Sequence, residues 1–277
     1  MLEEIPSIHA LSWASFSEKE FISSITKYNN SLTPGPDKLL WRYLKCIIKN
    51  NGFLSSIINI ANTCFELGHW PSHFKTSITI IITKPNKELY DTPKVFRPII
   101  LLNTFGKLIK KVIGNCLQFH AISNNFIYLY QLSRLKQRLT SNTGITLTHF
   151  ICIGWVKNTM ISTLAFNIAQ FFPFLNHCLL PCIFCKAGFN SKVKHFFSNY
   201  LVRRKTWYFW NNFSFPFFNI NVKVGQGSFL SPILSALYLA LILHILEKCL
   251  KNLKIPVSIL LFVDNRLFIM QSKSFSI

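Results

Sequence analysis

Acidic residues are scarce in this chain. Ten Asp and Glu stand against 30 Lys and Arg in 277 residues, giving a formal net charge of +20. Between Asp91 and Glu247 there is no acid at all. Chemistry that needs clustered carboxylates therefore has little to draw on. Charged residues of both signs make up only 14% of the chain and hydrophobic ones 50%. That balance excludes intrinsic disorder, which requires low hydrophobicity. A bilayer-length apolar run is also missing. The longest, ILSALYLALILHIL at residues 233–246, is shorter than the ~20 residues that cross a bilayer, contains His244 and ends at Glu247 and Lys248. A mean hydropathy of +0.30 raises the membrane reading, but a buried core helix is the better account of this run. The N-terminus, MLEEIPSIHA, opens with two acids rather than a basic, then apolar, leader, so no signal peptide is expected. No internal repeat or low-complexity linker is visible.

What is present is basic and apolar. A chain of this length can bury a sizeable core, as one large domain or two closely joined subdomains. A surface this basic fits nucleic acid or an anionic membrane face. The plainer alternative is a generally basic surface, because the cations are spread rather than clustered. The eight cysteines have mostly irregular spacing and are expected as reduced, buried thiols. His177, Cys178, Cys182 and Cys185 include one C-x-x-C, a set that zinc would use only with a fuller ligand pattern. Core packing is the expectation for them.

The chain reads as alternating helices and strands. Ser17 with Glu20 forms a helix-opening capping box. TPGPDK at residues 33–38 makes a turn, because two prolines around a glycine cannot continue a helix. Residues 39–66 carry apolar positions at helical spacing and predict one or two helices. The β-branched run TSITIIITKP at residues 76–85 predicts a buried strand, KVFRPIILLN a second strand, and TFGKLIKKVIGNCLQ a basic helix. A helix over residues 141–158, a strand over 162–172 and a helix over about 175–187 follow. KHFFSNYLVRRKTWYFWNN predicts helix into strand, and NFSFPFFNINVKV a hairpin. A long helix over 232–253 leads to strand–turn–strand at 258–270.

Six motifs occur in one order: PGPD at residues 34–37, WPSHFKTSITIIITKPNK at 70–87, FRPIILLNTFGKLIKKVI at 96–113, LAFNIAQFFPFLNH at 164–177, VGQGSFLSPILSALY at 224–238 and FVDN at 262–265. On these the chain resembles the reverse transcriptase domain of a non-LTR retrotransposon, most like fungal elements. The resemblance implies an α+β right-hand polymerase fold. Residues 1–30 are then a helical lead-in, 31–160 fingers with part of the palm, and 161–277 palm, with the thumb expected beyond residue 277. It implies an RNA-directed DNA polymerase acting on an RNA template, a DNA primer and deoxynucleoside triphosphates, intracellular and nuclear, with no membrane partner.

The resemblance also implies Mg²⁺, held by one aspartate after the first palm strand and an aspartate pair in the hairpin after the long helix. Such ions activate the primer hydroxyl and stabilise the leaving pyrophosphate, and they favour anionic oxygen ligands. In this chain the first position is Asn167 and the pair is Asp264 and Asn265. Asp264 alone keeps its charge, so the expected metal site is incomplete and catalysis impaired. By the same resemblance Lys84 and Arg97 grip the triphosphate, Phe172 closes the 2′ side of the sugar, and Gly225, Gln226 and Gly227 pack against the incoming nucleotide. Arg203, Arg204 and Lys205, with Trp207, Tyr208 and Trp210, could contact template backbone and bases or could be packed. Phe229 and Arg266 depart from the family's small residues, and a cation beside Asp264 would compete with a metal for that carboxylate. Three readings result: a decayed reverse transcriptase domain, a non-catalytic nucleic-acid-binding remnant, and an unrelated membrane protein.

Overall fold

The computed structural model describes residues 12–132, 135, 138–168, 175–176, 178–210, 213–220, 227–252, 257–262 and 265–273. The fold is α+β. It divides into two compact units: His9–Cys116 with Phe172–Ser231, and Met1–Ile8 with Leu117–Phe171 and Pro232–Ile277.

The first unit opens with α1 (Glu18–Thr26), whose capping box is formed as the sequence predicts: the Ser17 amide donates to Glu20 at 2.7 Å and the Glu20 amide to Ser17 Oγ at 3.4 Å. Residues 39–66 form two helices, α2 (Trp41–Ile47) and α3 (Asn51–Glu66). On α3 the buried positions Leu54, Ile57, Ala61, Cys64 and Phe65 follow helical spacing. Next come β1 (Thr76–Thr83), β2 (Phe96–Leu102) and α4 (Thr104–Ser123), whose C-terminal end belongs to the second unit. After residue 171 the unit adds α6 (Leu180–Lys186), α7 (Ser191–Tyr200), β4 (Lys205–Trp210), β5 (Phe213–Ser214) and β6 (Phe218–Asn219). Its sheet runs β2–β1–β4–β5, with β6 also on β4; β1 is antiparallel to β2 and parallel to β4.

Rings fill this unit's core. Trp70 lies 5.7 Å from Phe196 and 5.8 Å from Tyr200, Phe65 lies 5.4 Å from Phe196, and Tyr28 stacks on Trp41 at 3.5 Å. Each buried aromatic removes a large apolar area from water, worth about 1.5–3 kcal/mol.

The second unit contains α5 (Thr140–Val156), β3 (Met160–Asn167), most of α8 (Leu230–Asn252), β7 (Val257–Phe262) and β8 (Asn265–Ser272). Its antiparallel sheet has the order β3–β8–β7. Residues 130–132 run beside β7: the Leu261 amide donates to the Tyr130 carbonyl at 3.0 Å and the Leu132 amide to the Leu261 carbonyl at 2.8 Å.

Four expectations need correction. β1 is not buried on both faces. Its buried positions are Ser77 and Thr79, while Ile82 is exposed. Hydroxyls make that interior possible: Thr79 and Thr206 share a 2.8 Å hydrogen bond and Ser77 Oγ donates to the Lys205 carbonyl at 3.1 Å. Of the hairpin expected within residues 212–224, residues 213–220 are described, and among these the two strands do not pair with each other. β5 and β6 each pair with β4, because a short strand gains more from an existing sheet edge than from an isolated partner. Buried thiols are the third. Six of the eight cysteines are exposed, among them Cys178, Cys182 and Cys185. On α6 the buried residues are Leu180, Ile183 and Phe184, and Cys182 and Cys185 fall on the other face. His177 lies outside the described residues. Finally, α8 extends the apolar run. At 23 residues it is, among the described residues, one helix long and apolar enough to cross a membrane, with half of its most apolar window buried inside the protein. Burial on opposite sides, with Leu234 and Leu241 on one and Leu239 and Leu243 on the other, gives a core helix reason to be apolar all round.

The PGPD turn is a structural joint. The Asp37 carboxylate accepts the amide of Thr104 at 2.6 Å and that of Phe105 at 3.4 Å, at the start of α4. A carboxylate there meets both unsatisfied amides and the positive end of the helix dipole. Gly35 lies so close to β2 that an added Cβ would come 2.1 Å from the Leu102 carbonyl oxygen. We expect Asp37→Ala to cost about 1–2 kcal/mol, as for loss of a helix cap, and Gly35→Ala to cost more, because backbone rather than a side chain must give way. Urea unfolding midpoints of the two variants check both the size and the order.

Candidate functional site

The antiparallel register of the second unit makes Asn167 and Asn265 direct Cα partners, and Phe262 pairs with Asn265 from the other side. Two positions 98 residues apart in sequence thus meet at one end of the three-stranded sheet, where β3 finishes and β8 begins. Directly opposed residues in such a ladder stand about 4.5–5.5 Å apart. Asn167 is exposed there. Arg266 occupies the next register step, opposite Phe166 and Leu261. Asp264 and Phe172 lie outside the described residues.

A Mg²⁺ ion at this sheet end would need anionic oxygen ligands. Asn167 and Asn265 are neutral amides, and the chain between Asp91 and Glu247 supplies no carboxylate to replace them. Among the described residues no group of three or more His, Cys, Asp or Glu is arranged to hold a metal ion. A pair of amides offers oxygen but no charge to a cation that dehydrates reluctantly. The described donors do not fit a Mg²⁺ centre.

The other sequence-derived residues belong to the first unit and are dispersed. Arg97 is exposed on β2, opposite Ile82. Lys84 follows β1 and is held by its connection: its amide donates to the Val95 carbonyl at 2.8 Å, its ammonium to the Lys94 carbonyl at 2.5 Å, and its own carbonyl accepts from Tyr90. Gly225 and Gln226 lie outside the described residues. Gly227 is described, with φ +109, and a Cβ there would come 2.7 Å from the Ile100 carbonyl oxygen. This turn thus needs glycine both for conformation and for space. Phe229 meets Tyr28 edge-on at 5.1 Å and carries the Lys111 ammonium 4.6 Å above its ring.

Arg203, Arg204 and Lys205 do not face one way. Arg203 and Lys205 are exposed, whereas Arg204 is 9% exposed. Beside them the rings of β4 to β6 are open to solvent: Phe209, Trp210, Phe213, Phe215, Phe217 and Phe218 are all exposed. Trp207 lies against Phe217 at 3.8 Å and Tyr208 against Phe218 at 5.4 Å.

A feature the sequence reading missed lies behind Arg204. A cleft of about 350 Å³, its open mouth included, is lined by Lys75, Lys110 and Arg204 together with Ser77, Tyr200 and Ser228, and by apolar side chains. Lys110 is 1% exposed, with its ammonium 5.5 Å from the Trp70 ring and 5.7 Å from that of Tyr200. Lys75 donates to the carbonyl and the side-chain oxygen of Asn199 at 2.8 and 3.0 Å. Among the described residues no carboxylate lines the cleft. The signal was present in FGKLIKKVIGNCL, where helical spacing puts Lys110 on one face with Ile113 and Leu117, three and seven residues on and both buried.

Burial pushes the Lys110 ammonium down to about 7, helped by the charges of Arg204 and Lys107. Burial likewise lowers Lys75, with Arg203 adding to it, and Arg204.

Solved structures share this architecture. A telomerase from Candida tropicalis, apo and truncated from its C-terminal domain, matches with a TM-score of 0.52 and 14% identity over 74% of this chain and 45% of that one. Telomerase from Candida albicans in complex with a fragment of telomeric RNA matches with a TM-score of 0.51 and 11% identity over 73% and 39%. The chain therefore has a reverse-transcriptase-like fold, and it spans less than half the length of these two neighbours. No family profile and no curated protein matches the sequence.

The Lys110 shift has a sign. Unfolded, the lysine titrates near 10.5; folded, near 7. Between these values the unfolded chain binds more protons, so stability rises with pH. Below about 7 both states are protonated and the cost of the buried charge is fully present. Above 9, Cys116, whose thiol burial pushes up, begins to work in the opposite direction. In phosphate-free buffer we expect stability to climb from pH 7 to 9 by up to about 1.4 kcal/mol per unit for this proton. Lys110→Met should flatten the climb, read from urea midpoints across the range.

Proposed function

We propose that this chain is the reverse transcriptase domain of a non-LTR retrotransposon of fungal type that has kept its scaffold and lost nucleotide addition. The observation that carries this reading is the register pairing Asn167 with Asn265 at one end of the β3–β8–β7 sheet. The resemblance expects aspartate at both positions, and both are amides. Residues 1–30 are read as a helical lead-in, 31–160 as fingers with part of the palm, and 161–277 as palm. Lys84, Arg97, Phe172, Gly225, Gln226 and Gly227 are assigned to the incoming nucleotide, and Asp264 is the one carboxylate left for a metal. The ancestral substrates are an RNA template, a DNA primer and deoxynucleoside triphosphates, met in the nucleus and away from membranes. With two formal charges gone, several kcal/mol of charge stabilisation go with them, and each ~1.4 kcal/mol is a factor of ten in rate.

A second activity has its own support. A net charge of +20, the exposed Arg203 and Lys205, and the open rings of β4 to β6 suit a single strand, whose phosphates meet cations and whose bases stack on aromatics. In this reading the remnant still grips nucleic acid without copying it. Titrating salt against RNA binding should give a steep loss of affinity, and a flat dependence would count against it.

Primer extension tests the loss of catalysis. We expect none from the chain with Mg²⁺ or Mn²⁺, and measurable extension from the double variant Asn167→Asp/Asn265→Asp. Extension by the unaltered chain would overturn the reading.

A further inference from the structure

We propose that the free edge of β3 is a dimerisation surface, where two copies of this chain join their three-stranded sheets antiparallel across a two-fold axis. The strand lies wholly in the second unit and is the outer member of its sheet, bonded to β8 on one side. Among the described residues nothing pairs with its other side. Met160–Asn167 keeps one continuous register with β8, without a bulge. Residues 162–167 are exposed in succession, so neither face of the strand is covered there. Leu164 is 59% exposed and Phe166 40%. α5 reaches the start of the strand, where a Cβ on Gly154 would come 2.3 Å from the Ile161 side chain.

Native edge strands are protected by charge, proline, a bulge or a cover. The sequence MISTLAFN has no charged residue, no proline and no glycine, and the chain carries no Lys, Arg, Asp or Glu between Lys157 and Lys186. Backbone groups at alternate residues point away from β8. An extended peptide answers both N–H and C=O at strand spacing, and a nucleic acid does not.

The occupant that fits is a second copy. An uncharged strand selects no charged partner, whereas its like meets it at every position. With the axis through Leu164, Leu164 faces its own copy, Phe166 faces Ser162, and Ala165 faces Thr163. Even-numbered positions of both strands then share one face, and Leu164 gains an apolar neighbour directly opposite. Arg266 pairs with Phe166 on β8, so the two copies of this cation fall at opposite ends of the joined sheet. Each chain contributes the same patch, as a two-fold interface requires. The net charge of +20 on each copy opposes the approach. Association should therefore strengthen as salt screens that charge, the reverse of RNA binding.

The test uses the full chain without nucleic acid. Sedimentation equilibrium follows its mass over a dilution series, in dilute buffer and in ~0.15 M salt. We expect monomer to pass to dimer as concentration rises, and sooner in the higher salt. Leu164→Lys and Leu164→Glu each set like charges across the axis, and each alone should stay monomeric. Mixed in equal amounts they should dimerise again, because an ammonium then faces a carboxylate. An unaltered chain that is monomeric throughout overturns the surface. A dimer retained in both variants also overturns it, tracing association elsewhere, for instance to the rings of β4 to β6. So does a mixture no more associated than its components. Should the variants fail to fold, amide hydrogen exchange on the unaltered chain decides. Slower exchange at alternate β3 residues as protein concentration rises supports the surface, and exchange independent of concentration overturns it. Neither primer extension nor RNA binding is read, so failure here and failure of the polymerase reading are separately visible.

Discussion

The carboxylate of Asp37 holds the first unit's framework together. It accepts two amides at the start of α4 while Gly35, two residues earlier, lies against the end of β2. Turn, strand and helix thus meet at one charged group. α4 starts there and carries Leu108, Ile109, Val112 and Ile113 into the core. Lys107, on the same helix, reaches back to the Thr33 carbonyl at 3.1 Å, so the turn is tied at both ends. In a chain with ten acids, one of them is spent on a helix terminus, where a carboxylate acts on dipole and amides together.

Several cations elsewhere are satisfied by carbonyls instead. Lys45 donates to Tyr28, Lys75 to Asn199, Lys84 to Lys94, and Arg138 to Tyr128, Leu129 and Gln131. A carbonyl oxygen lowers the desolvation cost of an ammonium but does not cancel its charge. The folded protein therefore concentrates positive potential where ordinary domains pair it away, most of all around Lys110.

Much of the fold was legible because the signals are local. Ser17 with Glu20 sets a helix start, Pro-Gly-Pro sets a turn, and the β-branched run at residues 76–83 sets a strand. The ladder that brings Asn167 to Asn265 could be anticipated only through resemblance, since register is a long-range property with no local mark. The inward turn of Arg204 was hidden for a related reason. Three consecutive basic residues read as one patch, but Arg203 takes a left-handed backbone, φ +56, at the turn into β4, and this turn leaves Arg204 buried between two exposed neighbours. The interior of β1 misled in the other direction: isoleucines appear to demand burial, and the sheet instead buries its hydroxyl-bearing face because Thr206 on β4 answers Thr79. The thiols of α6 follow the same rule, with helical phase overriding the usual preference of cysteine for the core.

The ring-rich edge formed by β4, β5 and β6 has a colloidal consequence. Six exposed phenylalanine and tryptophan side chains make a surface that adheres to its like. Against this stands a charge of +20, whose mutual repulsion keeps two copies apart only while it is long-ranged. At ~0.15 M salt that range shrinks to about 8 Å, comparable to the depth of a side chain. The balance between the two is thus set by the ions around the protein: repulsion between copies dominates in dilute buffer, ring contact gains ground as counterions accumulate, and a polyanion lying over this edge would cover cations and rings together.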